Sequence, residues 1–150
     1  MSLLAGCVVP PSVIEPEPEG APLLWIDTKD VDPPLVGDLT LIGNESTREF
    51  RVRSVQTTST VKQPLRYYWY FDLDLRDEVV PVATYTLCPS SAVCITNVCA
   101  KINDSDRHTV LLVVSDQPLR DAAATDPFDF PEGTAYDWVQ WGVYSKVVCP

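Results

Sequence analysis

Leu65-Arg66-Tyr67-Tyr68-Trp69-Tyr70-Phe71-Asp72-Leu73-Asp74 is the stretch that decides the fold. Leu65, Tyr67, Trp69, Phe71 and Leu73 alternate strictly with Arg66, Tyr68, Tyr70, Asp72 and Asp74. Successive side chains of a strand point to opposite faces, so this period of two lays one apolar row on a core and turns the other row away. The aromatic content fits a pleated, half-buried surface better than a helix.

The same period continues on both sides. Pro22 to Asp27 opens as an apolar strand, and Asp30 to Pro34 reads as a turn-rich break. Phe50, Val52 and Ser54 alternate with Arg51, Arg53 and Val55, a strand with one wet face. Val79 to Leu87 continues as β, and Pro81 within it argues for a sheet edge, because proline cannot donate to a ladder. Arg107 to Asp116 is apolar on both faces, which predicts a central strand. Thr134 to Val148 reads as a long final strand rich in aromatics. No segment shows a convincing amphipathic helical period. Six or seven strands with short connections predict an all-β sandwich of two antiparallel sheets.

Composition narrows the function classes. The chain has 150 residues, 45% of them hydrophobic, and a net charge of −10. Once the proline-rich start is set aside, about 125 residues remain, enough for one core. The negative charge repels phosphate backbones and no basic patch offsets it, so no nucleic-acid partner is expected. No segment is apolar over the length of a membrane-spanning helix.

Of the five cysteines, Cys7 stands alone at the start, and Cys88, Cys94, Cys99 and Cys149 form an even group. The first three of that group are spaced C-x5-C and C-x4-C, unlike the C-x2-C knuckle of zinc sites. Two disulfides are the expectation, which places the chain in an oxidising compartment. Spacing alone leaves all three connectivities open.

The N-terminus adds an address. Leu4-Ala5-Gly6-Cys7 resembles the lipobox of bacterial lipoproteins, in which small residues precede the cleavage point and the following thiol accepts the lipid. The resemblance implies lipidation at Cys7 and residues 1–7 as the remnant of a signal. Met1-Ser2-Leu3 supplies neither a charged n-region nor an apolar h-region, so the rest of the signal is expected upstream. Residues 8–22 then carry Pro10, Pro11, Pro16, Pro18 and Pro22 with Glu15, Glu17 and Glu19. Such a segment makes a semi-rigid tether of about 3 Å per residue, roughly 45 Å in all. The folded domain is assigned to residues 23–150. The implied localisation is the bacterial outer membrane, anchored by lipid, on its periplasmic or cell-surface side.

A second resemblance bears on topology. Tyr67 to Asp74 looks like the third-strand motif of PKD and related immunoglobulin-like domains, in which Tyr-x-Trp-x-Phe runs into an acidic turn. His108 to Asp116 is similar to the sixth strand of those domains. Leu73 stands where the family has a glycine, and the tyrosine corner is missing. The resemblance implies an immunoglobulin-like sandwich of about seven strands. It would place Cys94 and Cys99 in the connection before the sixth strand and gather all four paired cysteines at one pole. On that topology the favoured pairs are Cys99–Cys149 and Cys88–Cys94.

Candidate sites are few. Asp72, Asp74, Asp77 and Glu78 form an acidic cluster, a weak Ca²⁺ candidate that lacks the glycine of a tight loop; a solvated strand end explains them as well. His108 has no nucleophile beside it in sequence, and no catalytic constellation or cofactor motif stands out. A non-enzymatic chain without cofactors is therefore expected. The informative feature is aromatic: if Trp69 faces the core, Tyr68 and Tyr70 face outward, and Tyr136, Trp138 and Tyr144 share one face of the last strand. These five residues predict an exposed platform for a partner, unless the connection from Gln117 to Gly133, with Phe128 and Phe130, folds over it. A protein-binding or structural role in an envelope assembly is the leading expectation. A carbohydrate-binding module that stacks sugars on the aromatic face is the alternative.

Overall fold

The computed structural model describes residues 20–43, 47–71, 85–86, 91–97, 107–121 and 126–147. Among them are ten strand segments and no helix: β1 (Leu24–Ile26), β2 (Val31–Asp32), β3 (Leu39–Gly43), β4 (Thr47–Val52), β5 (Val55–Thr57), β6 (Arg66–Phe71), β7 (Tyr85–Thr86), β8 (Val93–Asn97), β9 (Arg107–Ser115) and β10 (Tyr136–Val147). They form a five-stranded sheet in the order β3-β10-β9-β6-β7, a three-stranded sheet β2-β4-β8 and a two-stranded ribbon β1-β5. The architecture is all-β and sandwich-like.

The alternating stretch behaves as its period dictates. In β6, Trp69 and Phe71 enter the main core together with Val110, Leu112 and Val114 of β9 and Val139, Trp141 and Val143 of β10. Phe50 and Val52 of β4, Val31 of β2 and Cys94 of β8 meet them from the three-stranded sheet. Three aromatics hold the layers together. Trp141 stacks on Trp69 with centroids 5.9 Å apart and takes Phe50 edge-on at 5.3 Å. Burying an indole leaves its N–H in need of an acceptor. Trp69 Nε1 donates to the Ser91 carbonyl at 2.6 Å, and Trp141 Nε1 donates to the Pro33 carbonyl at 2.7 Å. Each bond links the five-stranded sheet to a chain end of the three-stranded one.

β9 is the central strand that its two apolar faces call for. It pairs with β6 on one side and with β10 on the other, from Tyr136↔Ser115 to Tyr144↔Arg107. Val110, Leu112 and Val114 fill the main core, and Leu111 and Val113 fill a second cluster on the opposite face.

Several expectations are corrected. Among the described residues the strands fall in three sheets rather than two, and they are not wholly antiparallel, because β3 runs parallel to the end of β10, from Val143↔Leu39 to Val147↔Gly43. Leu39–Gly43 carried no strand expectation, since its pairing is made about a hundred residues away. Asp30–Pro34 is not simply a break: Val31 is buried and pairs with Val52, so two residues of strand form before Pro33. Cys94 lies on β8 opposite Phe50 rather than in a connection. It is fully buried and disulfide-bonded, and its partner cysteine lies outside the described residues. Of Val79 to Leu87, the described part is β7, which lies at a sheet edge beside Tyr70 and Phe71.

Candidate functional site

The candidate site is the outer face of the five-stranded sheet. The register places Tyr68 and Trp138 on opposite sides of Val113, and Tyr70 beside Leu111. Tyr136 lies one step further along β10, opposite Ser115. These residues share a face because Tyr68 and Tyr70, like Tyr136 and Trp138, are two residues apart on their strands, and Tyr68 and Trp138 both stand opposite Val113.

Tyr68 and Tyr70 are not the open platform that the sequence predicts. The connection after β9 folds back over them as a strap. Tyr70 is only 4% exposed and packs with Leu111, Val113 and Phe130, with Tyr68, Leu119 and Phe128 around them. Phe130 lies 6.1 Å from Tyr68 and 5.2 Å from Tyr136, ring to ring. Phe128 bridges Tyr136 at 5.8 Å and Trp138 at 6.3 Å. The Leu119 N–H points to the Tyr68 hydroxyl at 3.4 Å. The physical reason is plain: a central strand with apolar side chains on both faces needs cover on both, and Phe128 and Phe130 supply it.

The strap is rooted at Asp116. This buried carboxylate accepts the Ala135 N–H at 3.0 Å on one oxygen and the Lys62 N–H at 3.2 Å on the other. The Asp116 N–H in turn donates to the Ala135 carbonyl at 3.1 Å. Both ends of the strap are thus tied at one point. Within it, Asp126 Oδ1 accepts the Phe128 N–H at 2.9 Å, the Arg120 N–H meets the Asp129 carbonyl at 2.8 Å, and Gly133 turns the chain at φ 78°. A positive φ of that size suits glycine because it has no Cβ.

Enclosure changes the Tyr70 phenol. Burial above all, then the neighbouring Tyr68 and the Asp126 carboxylate, pushes it up to about 12. A phenol held this way is a poor proton donor at ordinary pH, and its part here is packing.

The rim of the face stays open. Tyr136 is 44% exposed and Trp138 45%, with the half-buried Phe128 between them. Tyr144 is set apart, six residues beyond Trp138 on β10, about 20 Å along an extended strand. It pairs opposite Arg107, whose guanidinium meets Asp38 at 2.7 Å. Gly142 makes room for that carboxylate, since any Cβ there would strike the Asp38 side chain. The predicted five-residue platform is therefore three things: Tyr68 and Tyr70 beneath the strap, Tyr136 and Trp138 at its edge, and Tyr144 at a separate polar end.

His108 is buried on the inner face, stacked on Phe71 with centroids 5.3 Å apart, an ordinary place for a packed imidazole. Cys7, Cys88, Cys99, Cys149 and the acids Asp72, Asp74, Asp77 and Glu78 lie outside the described residues. Among the described residues no three His, Cys, Asp or Glu side chains come together as a metal-binding group, and no helix is long and apolar enough to cross a membrane. Sequence reasoning missed Asp116 as the strap's anchor. Its signal was an acid closing an unbroken apolar run, where a solvated charge would not be expected to be buried. No protein-family model matches the chain, and neither curated proteins nor solved structures give a significant match.

Proposed function

We propose that this chain is a non-enzymatic lipoprotein of the bacterial cell envelope that presents an immunoglobulin-like, PKD-like domain as a protein-binding or structural module. Lipidation at Cys7 would anchor it in the outer membrane, and the proline- and glutamate-rich residues 8–22 would hold the domain away from the surface. Strand order supports the immunoglobulin-like reading: β2-β4-β8 corresponds to the A-B-E side of such a sandwich and β6-β9-β10 to its C-F-G side.

The observation that carries the functional reading is the strap. A sugar-binding face needs its aromatics open in a row, and Tyr68 and Tyr70 are covered by the chain itself. What stays exposed is a compact rim of Tyr136 and Trp138, residue types that anchor protein interfaces. That combination favours a protein partner over the carbohydrate alternative.

Two measurements test the proposal. Metabolic labelling with an alkyne fatty acid in a bacterial host that makes the chain with its upstream codons should label the wild type and not Cys7→Ala, and the variant should leave the membrane fraction. A labelled Cys7→Ala would end the anchor reading. The purified domain should show no retention on a panel of immobilised polysaccharides, and retention lost in Trp138→Ala would replace the protein-binding reading with the sugar one.

A further inference from the structure

Phe128, Tyr136 and Trp138 form one continuous ring surface at the free edge of the strap, through the 5.8 and 6.3 Å contacts of Phe128. The strap itself is acidic. From Gln117 to Ala135 the chain carries Asp121, Asp126, Asp129 and Glu132 against Arg120 as the one base, within a chain of net charge −10. Asp126 and Glu132 are exposed, and Asp129 meets Arg120 only at 3.9 Å. An exposed ion pair at that distance holds its carboxylate weakly. The Asp126 carboxylate accepts the Phe128 N–H through one oxygen. Carboxylates have room for several donors, so these groups retain capacity for an incoming cation.

We propose that the Phe128–Tyr136–Trp138 patch, with Asp126, Asp129 and Glu132 close to it along the chain, docks a cationic protein segment in which Lys or Arg side chains alternate with apolar ones. The inference rests on the protein-binding reading above and names the chemistry of the partner. Ring faces attract a cation through their quadrupole, most strongly on tryptophan, and the flanking carboxylates add charge attraction of the same sign. The methylene stems of Lys and Arg would lie along the rings as their heads reach the acids. An anionic partner such as nucleic acid or an acidic lipid surface meets repulsion at the same place. A neutral glycan would use the rings and ignore the carboxylates. The patch is fixed before binding, because Tyr136 and Trp138 sit on β10 and both roots of the strap that carries Phe128 are tied at Asp116.

The test uses the full chain and three probes: a fluorescent peptide in which Lys alternates with Leu and Ser, the same peptide with Glu in place of Lys, and a soluble β-glucan oligosaccharide. The Lys peptide should bind, the Glu peptide should not, and rising salt should weaken the complex as exposed charges are screened. Trp138→Ala should lower affinity roughly fivefold to tenfold, the scale of losing a ring-anchored cation and its packing. Asp126→Asn with Asp129→Asn and Glu132→Gln should lower it by about as much and flatten the salt dependence. Ile95→Ala, at an exposed position on the three-stranded sheet, and Glu49→Gln on the same sheet should leave affinity unchanged. Lys-peptide binding that ignores Trp138, or that falls equally in Glu49→Gln, overturns the placement and leaves the protein-binding reading intact. Binding of the oligosaccharide at Trp138 without binding of the Lys peptide overturns both. Circular dichroism of each variant confirms that a loss of binding is not a loss of fold.

Discussion

The two faces of β9 are built from the same residue types and end in different chemistry. Val110, Leu112 and Val114 on the inner face meet a second sheet, and Leu111 and Val113 on the outer face meet, among the described residues, a strap. The inner contact is closed by two indole N–H bonds to backbone carbonyls and by a stack of Trp69 on Trp141. The outer contact is closed by Phe128 and Phe130 and leaves Tyr136 and Trp138 nearly half exposed. A sheet-backed face is a core and nothing else. A strap-backed face is a core in its middle and a recognition surface at its edge. That division separates residues that hold the domain together from residues free to touch a partner.

Trp69 separates the two faces most strongly. Replacement of this fully buried ring by alanine removes its packing between the sheets and its bond to Ser91, and should cost about 3–5 kcal/mol in urea unfolding. A loss below 1 kcal/mol would mean that the inner face is not the principal core. Phe130→Ala tests the strap in the same way. The expected loss is about 2–3 kcal/mol, smaller because the strap can settle into the space. A loss equal to that of Trp69→Ala would erase the distinction between the two faces. Asp116→Ala leaves the Lys62 and Ala135 N–H groups without their acceptor and should cost about 1–3 kcal/mol. Hydrogen exchange should then speed up at residues 117–135 ahead of β9 itself.

Much of this was legible. The inner face followed from the strict alternation around Trp69, and the central place of β9 followed from its unbroken apolar run. The cover over the outer face was legible only as one of two possibilities, because Phe128 and Phe130 in a proline-rich connection do not reveal where that connection folds. Tyr68 and Tyr70 point outward as their parity requires, and exposure fails because outward is not the same as solvent. β2, β3 and β8 were hidden for a different reason. Two residues beside Pro33, five ending in a glycine, and a cysteine-bearing segment are too short to show a period, and their pairing partners are remote in sequence.

Titration gives a finer reading of the same cover. The Tyr70 phenol is raised in the folded chain from 10.0 to about 12, so the folded state holds its proton more tightly than the unfolded one. The resulting stability is fully present below pH 10 and is lost as pH rises toward 12. Burial raises the Tyr67 phenol as well, so tyrosinate absorbance should show a late-titrating component, of which Tyr70→Phe removes the part near 12. Phe128→Ala with Phe130→Ala should bring the Tyr70 phenol back toward 10. An unchanged titration in the double variant would show that the strap is not what buries it.

The smallest effect on stability belongs to the most informative residue for function. Trp138→Ala should shift unfolding by no more than about 0.5 kcal/mol, since nearly half of the side chain already faces solvent. That tolerance makes position 138 suitable for a photoreactive benzoylphenylalanine in cells that make the chain, with the exposed position 95 as its control. Irradiation should give a discrete protein adduct from position 138 and none from position 95. No protein adduct from position 138, together with retention of the wild-type domain on a polysaccharide, would contradict the protein-binding account.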